Sequence, residues 1–213
     1  MYRHTQHWIE SLEKAGELVR IKERVDPVLE ITEITDRISK AYGPALLFEN
    51  TGTGFPVLIN SMGTERRMAM ALGVERLDDV GHDMEALFKQ LMSPKDSIMD
   101  KLKLLPKLGA IASWMPKTIG GRGACQEVIH RDPDLTSLPV LKCWPEDGGP
   151  FITLPTVYTF DPETGKRNVG MYRIQVHGRN TCGMHWQMHK TGIDRKSTRL
   201  NSSHVALSRM PSS

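Results

Sequence analysis

The residue pattern predicts an α+β protein, with an amino-terminal α/β domain over residues 1–118 and the start of an antiparallel sheet or barrel over 119–193. Three observations carry this. In the first part, apolar residues recur every three or four positions and alternate with short apolar runs. A glycine-rich break, Gly120-Gly-Arg-Gly123, then interrupts the chain. Beyond it the texture changes to short alternating segments bounded by turn residues.

Trp8, Leu12, Ala15 and Leu18 share one face of a first helix, and Leu29, Ile31, Ile34 and Ile38 one face of a second. Tyr42-Gly43-Pro44 ends the latter. Ala45–Phe48 and Val57–Asn60 read as paired strands across a glycine-rich turn, and Glu65–Leu72 and Leu77–Leu91 as helices. Lys101–Trp114, interrupted by Pro106, reads as a solvated helix covering the core. After the break, strands are expected over Gln126–His130, Thr153–Phe160, Val169–His177 and Cys182–His189. Asp161-Pro-Glu-Thr-Gly-Lys166 is a turn, because proline fixes φ and glycine supplies the positive φ.

Hydrophobic residues make up 39% and charged residues 25%, which suits a chain that buries a core. The formal charge of +3 belongs wholly to the last twenty residues, where Arg195, Lys196, Arg199 and Arg209 face only Asp194. It therefore gives no reason to expect nucleic acid or an anionic membrane as partner. Asp194–His204 has no periodicity and reads as a sequencing adapter translated in frame, so 194–213 is expected to be a non-native tail. Cys125, Cys143 and Cys182 are odd in number and form no CxxC pair, which points to free thiols. The amino terminus has no signal-peptide core, and no apolar run approaches the roughly 20 residues of a membrane span. A cytoplasmic protein is expected.

Candidate chemistry lies in Asn168-Val-Gly-Met-Tyr-Arg-Ile-Gln-Val-His177 and Gly183-Met-His-Trp-Gln-Met-His-Lys-Thr-Gly192. A hairpin with Arg179-Asn180 at its tip sets Asn168 opposite Thr191 and Gly170 opposite His189, which makes Asn168 and His189 diagonal neighbours. An amide oxygen with an imidazole nitrogen suits Mn²⁺ or Mg²⁺ better than a thiolate-seeking ion. Two ligands are too few, and a carboxylate is required from elsewhere. Arg173 stands about 16 Å from Asn168 along an extended strand at about 3.3 Å per residue, near the reach from a flavin phosphate to its ring. Strict alternation puts the two on opposite faces, so the scheme needs a bend, for which Gly170 is the expected place.

Asn168-Val-Gly-Met-Tyr-Arg173 and Met184-His-Trp-Gln-Met-His-Lys190 resemble the cofactor segment of UbiD-like decarboxylases, the 3-polyprenyl-4-hydroxybenzoate carboxy-lyases and their relatives. The run from Asp134 through Gly148-Gly-Pro-Phe-Ile-Thr-Leu-Pro155 is similar to that family as well. The resemblance implies an FMN-binding split β-barrel, left incomplete here, and non-oxidative decarboxylation of an aromatic or α,β-unsaturated carboxylic acid. It implies prenylated FMN with Mn²⁺ (or Mg²⁺) and a monovalent cation such as K⁺. A flavin prenyltransferase would supply the cofactor, and the full-length protein would be a homo-oligomer. By position, Asn168 and His189 would bind the metal, which holds the cofactor phosphate. Met171, Tyr172, Arg173, His185, Trp186, Gln187, Lys190 and Thr191 would contact the flavin, and Arg173 would also anchor the substrate carboxylate. His185 is alternatively packed or solvated. The family's glutamate ligand and acid fall beyond residue 193, so the chain reads as an amino-terminal fragment, itself inactive. The other readings are an inactive fragment or a non-catalytic flavin-binding split-barrel module.

Overall fold

The computed structural model describes residues 2–92, 109, 112, 113, 115, 120–161 and 163–186. These fall into two compact units, one of residues 68–131 and the other of 2–67 with the chain from 132 onward. The expected division at 118 lies inside the first unit.

Helix α1 (Thr5–Lys14) starts where the His4 ring accepts a hydrogen bond from the His7 amide. It buries Trp8, Ile9 and Leu12. Gly16, at φ 71°, closes it by taking the left-handed conformation, with its own amide bonded to Glu13 O and that of Glu17 to Leu12 O. Leu18, expected on the same helix, therefore opens strand β1 (Leu18–Arg24) instead. The apolar spacing continued past a C-cap that periodicity alone does not register.

Strand β1 pairs in parallel with β2 (Ala45–Asn50), and β2 pairs antiparallel with β3 (Val57–Ile59). Helix α2 (Glu30–Lys40) lies between β1 and β2 in sequence and carries Ile31, Ile34 and Ile38 onto the sheet. Because β2 is the central strand, Ala45–Phe48 are all buried, and the run is continuously apolar rather than alternating. The core joins Val25, Ile31, Leu46 and Phe48, with Leu141 packed against it. Leu141 arrives because its neighbour Lys142 exchanges backbone hydrogen bonds with Pro27 and Leu29. The later segment is thus pinned to the first sheet.

Helix α3 (Glu65–Leu72) and helix α4 (Leu77–Met92) occupy their expected positions. The helix expected over 101–114 lies almost wholly outside the described residues, as does the tail. Gln126–His130 forms no strand; a single 3-10 turn, Ala124–Gln126, leads into irregular chain.

The remaining strands are β4 (Phe151–Ile152), β5 (Thr156–Phe160), β6 (Arg167–Met171), β7 (Ile174–Gly178) and β8 (Thr181–Met184). They form an antiparallel sheet ordered β4-β7-β8 and a separate antiparallel pair β5-β6. The described residues show no closed barrel. The expected turn after Phe160 closes β5 onto β6: Gly165 sits at φ 67° and Asp161 accepts the amides of Glu163 and Thr164. No helix among the described residues is long and apolar enough to cross a membrane.

Candidate functional site

The segment expected as one strand, Val169–His177, is two. The chain leaves β6 at Met171, turns through Tyr172 and Arg173, and enters β7 at Ile174 in the other sheet. This corrects the expected continuous arm Val169–His177 of the hairpin. Asn168 faces Thr159, and Gly170 faces Val157, both on β5. The expected pairing of Asn168 with Thr191 and of Gly170 with His189 lies outside the described residues. The β7–β8 hairpin does turn at Arg179–Asn180, but its register shifts between Val176 and Gly178, leaving His177 as the extra residue. Beyond that bulge Val176 faces Cys182 and Ile174 faces Met184.

The bend required between Asn168 and Arg173 exists, although not at Gly170. Gly170 stays within the regular β5–β6 ladder, and the Tyr172 ring lies so close against it that a Cβ there would sit 2.6 Å from Tyr172 Cε2. Tyr172 is 3% exposed. Its ring centroid stands 5.4 Å from that of Trp186, with the planes tilted by 54°, a favourable aromatic geometry. One residue on, Arg173 is exposed, and its guanidinium carbon lies 4.5 Å from the centroid of the Phe151 ring. The Arg173 carbonyl accepts the His185 amide at 2.9 Å.

Tyr172, Arg173, His185 and Trp186 are thus brought together at the corner where β6 gives way to the β7–β8 hairpin. Met171, half exposed at the end of β6, pairs with Thr156. Gln187, His189, Lys190 and Thr191 lie outside the described residues. Phe151 and Thr159 belong to the site's surroundings and were not singled out by motif. The signal available for Phe151 was its place in the Gly-Gly-Pro-Phe run, and Thr159 required the β5–β6 register.

Asn168 donates from Nδ2 to Thr159 Oγ1 at 3.4 Å, and Thr159 is itself buried. That bond leaves the amide oxygen for the acceptor role, and such an oxygen is a hard donor of the kind Mg²⁺ and Mn²⁺ take. The residue fits a divalent ion. Among the described residues no cluster of three or more His, Cys, Asp and Glu side chains could hold a metal. Two grooves, of about 390 Å³ beside Leu29 and Trp144 and about 310 Å³ beside Phe151 and Leu154, are lined by neither Asn168, Tyr172 nor Arg173.

The hairpin tip is tethered at its far end. Arg179 pairs with Asp132 at 2.6 Å and with Asp134 at 3.3 Å, and its carbonyl accepts the Leu135 amide. The Thr136 hydroxyl and amide, with the Arg179 cation beside them, hold the Asp134 carboxyl below its ordinary pKa.

The mixed helix-and-sheet arrangement is shared with UbiD-class enzymes. The chain superposes on the closed form of vanillic acid decarboxylase from Sedimentibacter hydroxybenzoicus with a TM-score of 0.70 at 26% identity, over 93% of this chain and 40% of that one. An evolved dimeric form of the UbiD-class enzyme HmfF from Pelotomaculum thermopropionicum, in complex with prFMN, gives 0.60 at 27% identity, over 86% and 38%. An uncharacterised protein of Archaeoglobus fulgidus is 48% identical over 194 residues, which are 91% of this chain and 39% of that protein. The chain therefore spans about two fifths of the length of the relatives it matches. The 3-octaprenyl-4-hydroxybenzoate carboxy-lyase N-terminal domain matches residues 9–87, and the Rift-related domain of the same carboxy-lyases matches 117–208, running on past residue 193. With both domains present in that order, on a fold shared with UbiD-class enzymes, this chain belongs to the UbiD family.

Proposed function

We propose that the protein to which this chain belongs removes CO₂ from an aromatic or α,β-unsaturated carboxylic acid without net oxidation, using prenylated FMN and a divalent metal. The observation that supports this best is the Tyr172–Arg173 corner. A buried tyrosine packed on Trp186 offers an apolar wall. Beside it stands an arginine that forms no ion pair among the described residues.

Prenylated FMN, when bound, supplies the electron sink that loss of CO₂ from an sp² carbon demands. The chain's own residues bind and orient. The Arg173 guanidinium takes the substrate carboxylate in a two-pronged, charge-assisted contact and fixes the bond to be broken. Tyr172 and Trp186 form an apolar wall beside that contact. Met171, His185, Gln187, Lys190 and Thr191 are assigned to the remaining cofactor contacts. Asn168 through Oδ1, with His189, would hold Mn²⁺ or Mg²⁺ against the cofactor phosphate, and K⁺ would be an accessory cation. The Asn168 amide geometry and the family resemblance support this metal assignment. We take residues 1–118 as the amino-terminal domain and 119–193 as the start of the cofactor-binding domain, in a homo-oligomer supplied by a flavin prenyltransferase.

Arg173→Ala and Arg173→Lys in the full-length protein test the reading. If Arg173 meets the carboxylate, lysine does not rescue alanine, because an ammonium lacks the planar fork. Loss of the contact costs about 1.5–3 kcal/mol, the range for hydrogen bonds to charged groups. That lowers kcat/KM by at least about tenfold, while flavin occupancy is retained. Near-normal turnover in Arg173→Lys, or an empty cofactor site in both variants, would refute the assignment.

A further inference from the structure

We infer that Phe151 is a positioning residue for Arg173: its ring holds the guanidinium in place to receive a carboxylate. The inference rests on the carboxylate-binding role proposed for Arg173 above, and adds to it the residue that prepares the arginine.

Three facts converge on Phe151. The guanidinium lies over its ring at 4.5 Å, within the range of a cation–π contact. The ring is mounted on a fixed post: the Phe151 amide donates to Leu141 O at 3.0 Å, and Phe151 faces Gln175 in the β4–β7 ladder. The chain just before it is tied to β7 as well, through Val176 N to Pro150 O and Gln175 Nε2 to Gly148 O, both at 2.9 Å. The arginine is fixed at its other end, where its carbonyl accepts the His185 amide. With backbone and head group both held, part of the side chain's rotamer freedom is lost before any ligand arrives.

An aromatic face suits this task better than a carboxylate would. The ring attracts the cation through its quadrupole, yet leaves the net charge of Arg173 uncancelled. It also accepts none of the in-plane N–H groups, so the fork stays available to an anion. An aspartate or glutamate in the same place would compete with the substrate.

The test uses the full-length protein with benzoate as probe, benzamide as uncharged control, and the Arg173 Nε–Hε resonance as readout. In Phe151→Leu that resonance should lose its ring-current shift and the benzoate Kd should rise about two- to fivefold, the size of a partly exposed cation–π contact. Benzamide binding should not move, and Phe151→Tyr should behave as wild type. Pentafluorophenylalanine at 151 preserves shape while reversing the quadrupole, so it should weaken benzoate as leucine does even if the leucine variant folds poorly. Two failures are distinguishable. Benzoate binding that is absent, or unaffected by Arg173→Ala, overturns the role of Arg173 itself. If Arg173→Ala weakens benzoate but the position-151 variants do not, or do so equally without Arg173, then Phe151 does not act through Arg173.

Discussion

The Glu17–Arg67 pair should be strongly asymmetric to mutation. Arg67 is 1% exposed and Glu17 15%, with Arg67 Nη1 at 2.8 Å from Glu17 Oε2. Arg67 Nη2 also donates to Gly43 O at 2.9 Å, joining the start of α3 to the end of α2. The other oxygen of Glu17 accepts from Arg66, an arginine 65% exposed, at 2.7 Å. Glu17→Gln leaves the Arg67 cation buried without a counter-charge, a loss of about 3–5 kcal/mol. Arg67→Met is milder. Glu17 keeps Arg66, the apolar chain refills the space, and Arg67 Nε, which has no hydrogen-bond partner among the described residues, is removed from the interior. What remains is the unmet Gly43 carbonyl and the lost charge contact, about 1–3 kcal/mol. Glu17→Gln should therefore be the less stable variant by about 2 kcal/mol, as the difference of these two ranges. Urea unfolding of both, with m-values compared to confirm a common transition, measures this directly. Equal stabilities, or a lower midpoint for Arg67→Met, would show that the carboxylate rather than the guanidinium carries the desolvation cost.

Three further outcomes are expected. Asn168→Ala should reduce metal content and flavin retained through gel filtration; unchanged retention would remove Asn168 from the metal site. Gly170→Ala should destabilise by about 1–3 kcal/mol through overpacking against the buried Tyr172 ring. It should also lower flavin retention, and wild-type behaviour in both would mean the ring yields freely. Because the folded pKa of Asp134 is depressed, its contribution is present above the unfolded value of about 3.9 and disappears as pH falls through the lower folded value. Hydrogen-exchange protection at the Leu135 amide, bonded to the hairpin tip, should fall over that acid window, and Asp134→Asn should abolish the dependence.

Much of the secondary structure up to residue 92 is legible in the residue pattern. Trp8 and Leu12, then Ile31, Ile34 and Ile38, mark helix faces by spacing, and Ala45–Phe48 marks a buried strand by an unbroken apolar run. The family is legible there too, since Asn168–Arg173 and Met184–Lys190 resemble a cofactor segment whatever their pairing. Local pattern failed where long-range contacts choose among equal alternatives. Leu18 fits a helix face as well as a strand, and only Gly16 in the left-handed region ends the helix before it. Val169–His177 reads as one strand, because nothing in an apolar alternation records which neighbour each half will pair with. Tertiary structure alone decided that β6 joins β5 while β7 joins β4 and β8, so that the chain turns at Tyr172–Arg173. The physical reason is that strand pairing is set by partners distant in sequence: Thr159 for Asn168, and Gln175 for Phe151, whose ring then reaches the Arg173 guanidinium.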